Sequence, residues 1–467
     1  MTSQVAQVDV GPSERQPVAH LVIVAGGSVL AATNSMISLT ITPTTVLEIG
    51  GVGAISWTTT LYVVASIVAA AAGGLLRARL GLRYAALLGP LVFVAGGLVC
   101  AAAPTMAVLL AGRTLQGLGA GLALALSYAC IRILFPERQW SRLFALISAV
   151  WAIAALAGPV IGAGLIALAS WRLAYLAMAA LGMLLGLTAL ATLPSGARGD
   201  APDDGFPIVW LSGLGLAILL IAAAGNIGTL ATKLAMVAAG IALGAWLVRI
   251  DRKKSRGVLP SDAFAWSTPV GLGLWIVLAL FAGGMPFGVY GALILQALHG
   301  QPPLVAGYVL AWEALCWSLA AIAITRLDRR YWDHALIAGP ALIAGGLGGM
   351  ALTLPGGNLL LIVLSATVIG SGYGVCWAFL GQRIMANAKA DEGDRAAASI
   401  ATLEMTGIAV GAALAGIMGN ALGVDDAASA VNLRAAAGIG HALFLPILLF
   451  AVAAAARMVW LGRADAG

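Results

Sequence analysis

The sequence predicts an all-α polytopic membrane protein with about 14 transmembrane helices, and three observations carry that prediction. Of the 467 residues, 61% are hydrophobic and only 9% are charged, against about 25% charged in a soluble globular chain. The mean hydropathy is +1.00, so water is not the main solvent. Apolar stretches recur at the length of roughly 20 residues that a helix needs to cross a hydrocarbon core about 30 Å thick. Within that core each segment must satisfy its own backbone polar groups, which selects helices as the spanning elements.

Taken in order, the predicted spans cover residues 18–40, 56–76, 84–104, 106–131, 143–168, 171–193, 207–226, 230–249, 267–296, 303–325, 334–354, 358–382, 396–422 and 440–461. Residues 1–17, which include Asp9, Glu14 and Arg15, read as a cytoplasmic tail. The apolar run after them lacks the small-residue pattern of a signal-peptide cleavage site, so the first helix is expected to stay in the mature protein. Residues 18–193 form a first six-helix bundle. The stretch 194–206 is polar and rich in turn formers, and 251–262 is basic, so both read as cytoplasmic linkers. They bracket spans 7 and 8, which carry almost no polar residues beyond Asn226 and the loop Lys233. Residues 194–262 are therefore expected to be a linker carrying two extra helices, and 263–467 a second six-helix bundle with a short tail. Two related halves fit a transporter built from repeats around a midplane site.

Orientation follows from the basic residues, which concentrate on the cytoplasmic side of short loops. With the N-terminus inside, only Arg172, Lys233 and Arg434 of the 25 lysines and arginines fall outside, and Arg113 lies within a span. An odd number of spans would spoil this alternation, so both termini are expected to be cytoplasmic and the chain to lie in the cytoplasmic (inner) membrane. The net charge of +6 comes in short clusters between apolar stretches and forms no groove for nucleic acid. Cys100, Cys130, Cys316 and Cys376 all lie in apolar stretches, without zinc-site spacing, and read as structural.

Three short patterns in the first half carry more. Gly74-Leu-Leu-Arg-Ala-Arg79-Leu-Gly81-Leu-Arg83 puts glycines and arginines in the tight turn between spans 2 and 3. Leu110-Ala-Gly-Arg113-Thr-Leu-Gln116-Gly117-Leu-Gly119-Ala-Gly121 puts a guanidinium and an amide in span 4, followed by small residues that permit close helix packing. A charge at a helix centre costs about 2.5 to 3.5 kcal/mol or more, so Arg113 persists with partners, or in a water-filled cavity, or by reaching to the outer interface. Ala154-Ala-Leu-Ala-Gly158-Pro159-Val-Ile-Gly162-Ala-Gly164 lies in span 5. There the proline removes a helix hydrogen bond and the glycines admit a neighbouring helix, which suits a span that bends or rocks.

These patterns resemble motifs A, B and C of the major facilitator superfamily, the third being its antiporter signature. The turn Phe135-Pro136-Glu137-Arg138 and the pair Trp171-Arg172 also fit. With fourteen spans, nearly the whole chain resembles the fourteen-span drug/proton antiporter family. The resemblance implies a major facilitator fold of two six-helix bundles plus two inserted helices, and export by alternating access. Two departures stand out. Ala78 occupies the usual aspartate position of motif A, which weakens the contact that helps lock the outward-facing state. Asn34 stands nine residues before Pro43, where the family often has an aspartate, so no proton carrier is present there.

Two carboxylates lie well inside predicted spans, Glu313 and Glu404. Intramembrane ionisable residues are functional candidates by default, and with Arg113 these two are the candidates for proton coupling; a hydrogen-bonded structural role is the alternative for each. Candidates for the substrate cavity are Asn34, Tyr62, Gln116, Trp312, Trp317, Tyr373 and Trp377, although tryptophans in spans also face lipid or pack neighbours. Trp57, Trp171, Trp210, Trp266 and Trp460 fall near span ends and fit the interfacial belt.

No phosphate-binding loop is present, and His20, His299, His334 and His441 lie in unrelated places with no clustered nucleophile. An enzyme is not expected, nor any cofactor or metal. The reading is a proton-coupled exporter of amphipathic small molecules or drugs. The alternatives are a dedicated exporter or uncoupled facilitator of one metabolite, such as a siderophore, lipid or signalling compound, and a transport-dead receptor. The expected partners are a small-molecule substrate, protons and the lipid bilayer, with no nucleic acid, for a chain acting as a monomer.

Overall fold

Segments this apolar satisfy their backbone by coiling, and the computed structural model is built of helices joined by short turns over its described residues, 18–135, 140–193, 208–226, 229–252, 258–324, 328–389, 392–425 and 428–464. The first half comprises α1 (Val18–Ile49), α2 (Ile55–Leu80), α3 (Leu82–Ala101), α4 (Met106–Leu134), α5 (Trp140–Leu168) and α6 (Trp171–Thr192). The inserted pair is α7 (Ile208–Ala223) and α8 (Leu230–Asp251). The second half comprises α9 (Pro269–Gly283), α10 (Met285–Leu293), α11 (Pro303–Ile324), α12 (Trp332–Thr353), α13 (Leu359–Ala386), α14 (Gly393–Ala421), α15 (Ala430–Ala435) and α16 (Leu445–Ala464). Helices α9 and α10 belong to one apolar crossing, Pro269–Leu298, and α15 and α16 to another, Ala430–Gly462. Among the described residues 13 stretches are long and apolar enough to cross a membrane, and the shorter apolar α7 joins them. The protein is a multi-pass membrane protein, consistent with the fourteen spans expected. The tail 1–17, the linker 194–206 and the Pro136-Glu137-Arg138 turn lie outside the described residues.

Local chemistry sets the helix ends. Thr268 caps α9 by accepting from the Gly271 amide, with Pro269 in the first turn where its missing N–H costs nothing. Asn358 caps α13 and Ser170 caps α6 in the same way. Gly81 joins α2 to α3 with φ 81°, a conformation that a side chain would strain, and its amide closes on the Arg77 carbonyl at 2.9 Å. Arg83 then ties the start of α3 to the end of α6 through the Leu193 carbonyl.

The two bundles repeat one packing scheme. A side chain at Gly117 or Gly121 of α4 would collide with the Tyr62 or Ser66 carbonyl of α2. In the second half, Gly370 and Gly374 of α13 abut the Glu313 and Trp317 carbonyls of α11 in the same way. Small residues thus bring backbones together where lipid supplies no hydrophobic drive. They also put Tyr62 and Glu313 at equivalent places in the two halves.

Close contacts between the bundles gather at the arginine-poor end of the molecule. The Thr44 hydroxyl donates to Gln296 Oε1 at 3.4 Å, and Gln296 Nε2 donates to the Thr40 carbonyl at 3.4 Å. Gly307 of α11 packs on Thr40 and Pro159, and Gly416 of α14 on Ser56 of α2. Helix α7 packs on α2, α8 and α14, and so touches both halves.

Three expectations change. The first span does not stop at residue 40: α1 continues through Pro43 to Ile49, because Thr40 and Thr45 are fully buried and the Thr45 hydroxyl donates to the Ile41 carbonyl at 3.0 Å. The last span begins ten residues earlier than 440, at Ala430, where Ser429 and Asn432 form a capping box. Trp171 and Trp210 do not belong to an interfacial belt. Both are buried, at 1% and 6% exposure, and Trp171 Nε1 donates to Glu48 Oε2 at 2.8 Å. Trp266 and Trp460 are exposed, and all four cysteines are free and buried.

Candidate functional site

In the first bundle the chemistry gathers on Arg113. Its position seven residues into α4 puts it about 10 Å below the helix start, and it is 4% exposed. Nη1 donates to Asn34 Oδ1 at 2.8 Å, Gln116 Oε1 at 3.0 Å and Ser38 Oγ at 3.2 Å. Nε donates to the Thr58 carbonyl at 3.3 Å. The guanidinium carbon lies 4.6 Å from the Tyr62 ring centroid, a cation–π contact. The charge is therefore dispersed over neutral acceptors from α1, α2 and α4, and no carboxylate pairs with it among the described residues. Asn34 and Gln116 are fully buried, and their Nδ2 and Nε2 groups have no hydrogen-bond partner among the described residues.

In the second bundle, aromatic rings take the place of the cation. Trp317 and Tyr373 stack with centroids 5.0 Å apart. Phe281 of α9 contacts Tyr373 at 5.5 Å, Trp377 at 5.3 Å and Trp317 at 6.0 Å. Tyr373 donates its hydroxyl to the Leu280 carbonyl at 2.7 Å, fixing α13 on α9. Trp312 stands apart from this group; it is 39% exposed and donates Nε1 to Thr367 Oγ1 at 2.8 Å.

Glu313 is half-buried on α11, about 15 Å from the helix start, half the thickness of a hydrocarbon core of about 30 Å. Glu404 is half-buried on α14. Tyr373 lies within electrostatic reach of both carboxylates, and Tyr128 of α4 within reach of Glu404, so Glu404 looks across from one bundle to the other. Ser38, Thr58, Phe281 and Tyr128 were not singled out from the sequence. Nothing in the spacing of Phe281 or Tyr128 distinguishes them from other aromatic residues in apolar helices.

The conformational motifs fall at two joints. Gly158 packs on Met36 of α1, and Gly162 on Thr40 and Ile41. With Pro159 against Gly307, this stretch stands where α1 and α5 of one bundle meet α11 of the other. The second joint is the end of α2 with Gly74 and Arg79, the Gly81 turn and Arg83 at the start of α3, where Ala78 stands at the usual aspartate position of motif A. In the second half, Arg383 at the end of α13 pairs with Asp333 at the start of α12.

A sequence model of the Major Facilitator Superfamily matches residues 23–412. The chain belongs to the major facilitator superfamily. It is thus a membrane transporter of small-molecule substrates, not an enzyme. It is 36% identical over 440 residues to a probable multidrug-efflux transporter of Mycobacterium tuberculosis, covering 90% of this chain and 92% of that one. It is 27% identical to the methylenomycin A resistance protein of Streptomyces coelicolor, over 64% of each chain. Among solved structures, a peptide transporter in complex with sulfate superposes with a TM-score of 0.71 at 16% identity, covering 98% of both chains. An inward-facing, unoccupied bacterial homologue of the human lysosomal transporter Spinster superposes at 0.65 and 13% identity, covering 96% of this chain and 98% of that one. At those identities the likeness establishes the fold of this superfamily member and nothing narrower.

Proposed function

We propose that this protein is a proton-coupled exporter of amphipathic, cationic small molecules or drugs, working by alternating access in the cytoplasmic membrane with both termini cytoplasmic. The observation that carries this reading is the aromatic group of Phe281, Trp317, Tyr373 and Trp377 flanked by Glu313 and Glu404. Flat apolar rings suit the aromatic faces, a cation is attracted to the carboxylates, and a proton competes with that cation for the same oxygens. Arg113 has no acidic partner among the described residues and supplies fixed positive charge in the opposite bundle. The close contacts at the arginine-poor end support an inward-open arrangement, with that end closed and facing outward. The division into bundles at 18–193 and 263–467, with an inserted segment at 194–262, is part of this proposal, as is action as a monomer.

The energy fits one proton gradient. A potential of 100 mV is worth about 2.3 kcal/mol per charge, roughly a 50-fold substrate gradient for one charge moved. The test is export of a fluorescent lipophilic cation from proteoliposomes under an imposed pH gradient. Accumulation against the dye gradient that collapses with a protonophore supports the proposal. Equal rates with and without the pH gradient favour the second reading, an uncoupled facilitator, to which Asn34 and Ala78 lend support.

A further inference from the structure

Helix α8 packs on α7 and the short turn that follows α7, leaving a slot of about 930 Å³ between the inserted pair and the faces of α9 and α14. Its walls are apolar, with Ile218, Ile241, Leu278 and Leu403 among them, and its mouth holds Arg249 and Arg252. Along α8 the lining runs from Arg252 to Gly240, about 18 Å at 1.5 Å per residue. That depth passes through one leaflet of a core about 30 Å thick. Beyond Gly244 the space is open, since a side chain built there would meet nothing within 4 Å.

Two cations line the mouth. Arg249 and Arg252 are exposed, and Lys253, Lys254 and Arg256 follow in the chain. Asp262 follows the lining residue Ser261 and is half-buried, while the other acids close by are engaged elsewhere. Asp251 is 2% exposed and accepts from the Val258 and Leu259 amides at 3.0 and 2.7 Å. Glu392 accepts from the Ser261 amide and hydroxyl and faces Arg395. Arg252 donates Nε to the Ser261 carbonyl at 3.0 Å, which holds its guanidinium beside the opening. Among the lining residues, Trp210 is 6% exposed, and its Nε1 has no hydrogen-bond partner among the described residues. A buried donor without an acceptor costs about 1–3 kcal/mol, and this one is enclosed by protein and does not face the slot.

We propose that this slot binds one anionic phospholipid drawn from the leaflet at the arginine-rich end. The acyl chains lie along α7, α8, α9 and α14, and the phosphate sits between Arg249 and Arg252. A neutral apolar filler fits the walls but not the two cations, and a soluble phosphate fits the cations but not the walls. Basic clusters beside a membrane helix attract anionic lipid by about 1 kcal/mol per Lys or Arg. The bound lipid then acts as the missing wall between the inserted pair and the second bundle.

The experiment is native mass spectrometry of the full-length, delipidated protein with phosphatidylglycerol or phosphatidylcholine of identical acyl chains. Wild type is expected to retain one phosphatidylglycerol in preference to phosphatidylcholine. The Arg249→Gln/Arg252→Gln variant should lose about 30-fold of that preference. Gly244→Phe should block retention of both lipids. Free glycerol phosphate should not compete, which separates a lipid site from a phosphate site. An unchanged preference in the arginine variant overturns the proposal, even where Gly244→Phe fails to fold. So does a lipophilic cation that fills the slot of the wild type while phosphatidylglycerol does not, which would assign the slot to substrate entry.

Discussion

A buried guanidinium held by neutral oxygens is a positive charge that no carboxylate among the described residues pairs with, and Arg113 is that group. Arg113→Ala strips the donors from Asn34 Oδ1, Ser38 Oγ and Gln116 Oε1, at about 1–3 kcal/mol for each oxygen left unsatisfied. The variant is expected to insert in the membrane but to lose coupled export, read as dye flux normalised to protein in proteoliposomes. Arg113→Lys keeps the charge without the planar fork. It should retain measurable flux at least about tenfold below wild type, the loss of roughly one charge-assisted hydrogen bond. Wild-type flux in Arg113→Ala would remove Arg113 from the mechanism. On the other side, Glu313→Gln preserves shape and hydrogen bonding without ionising. It should uncouple substrate movement from the pH gradient more than it weakens binding of a neutral substrate, measured by flux and by equilibrium binding on the same preparation.

Helix contacts decide whether these residues can be exposed to alternate sides. Gly158 touches Met36, and Pro159 touches Gly307 of the other bundle, so this stretch of α5 takes part in the contact that must open when the outer side opens. Gly158→Leu should bind substrate and export it poorly, because the added volume displaces α1 from α5; overpacking of this kind costs about 1–3 kcal/mol. Normal transport by Gly158→Leu would mean that close packing at this point does not govern exchange between states. Most crossings were legible from hydropathy and basic loops, since lipid enforces both. The end of α1 was not. Residues Thr42, Pro43, Thr44 and Thr45 fell outside the predicted first span, 18–40, yet Thr45 is buried where the bundles meet. Trp171 was misplaced for the same reason: its neighbour Glu48 lies on that unforeseen extension of α1. Motifs A, B and C were legible as strings, while Phe281 and Tyr128 acquire meaning only from helices distant in sequence.

At the scale of the whole molecule, two bundles with one packing scheme carry opposite chemistry, a cation under Tyr62 in the first and a carboxylate, Glu313, at the equivalent place in the second. They close on each other through Thr40, Thr44 and Gln296. A cysteine pair at Thr44 and Gln296 should therefore cross-link in the resting protein and arrest transport, with recovery on reduction; failure to cross-link would place the resting state elsewhere. The central claim is that protons drive export through Glu313 and Glu404. Its most direct test follows substrate and proton fluxes together in proteoliposomes under an imposed pH gradient, for wild type and for Glu313→Gln/Glu404→Gln. The account predicts coupled opposite fluxes in wild type and no proton flux tied to substrate in the double variant. Coupled fluxes at the wild-type ratio in the double variant would contradict it.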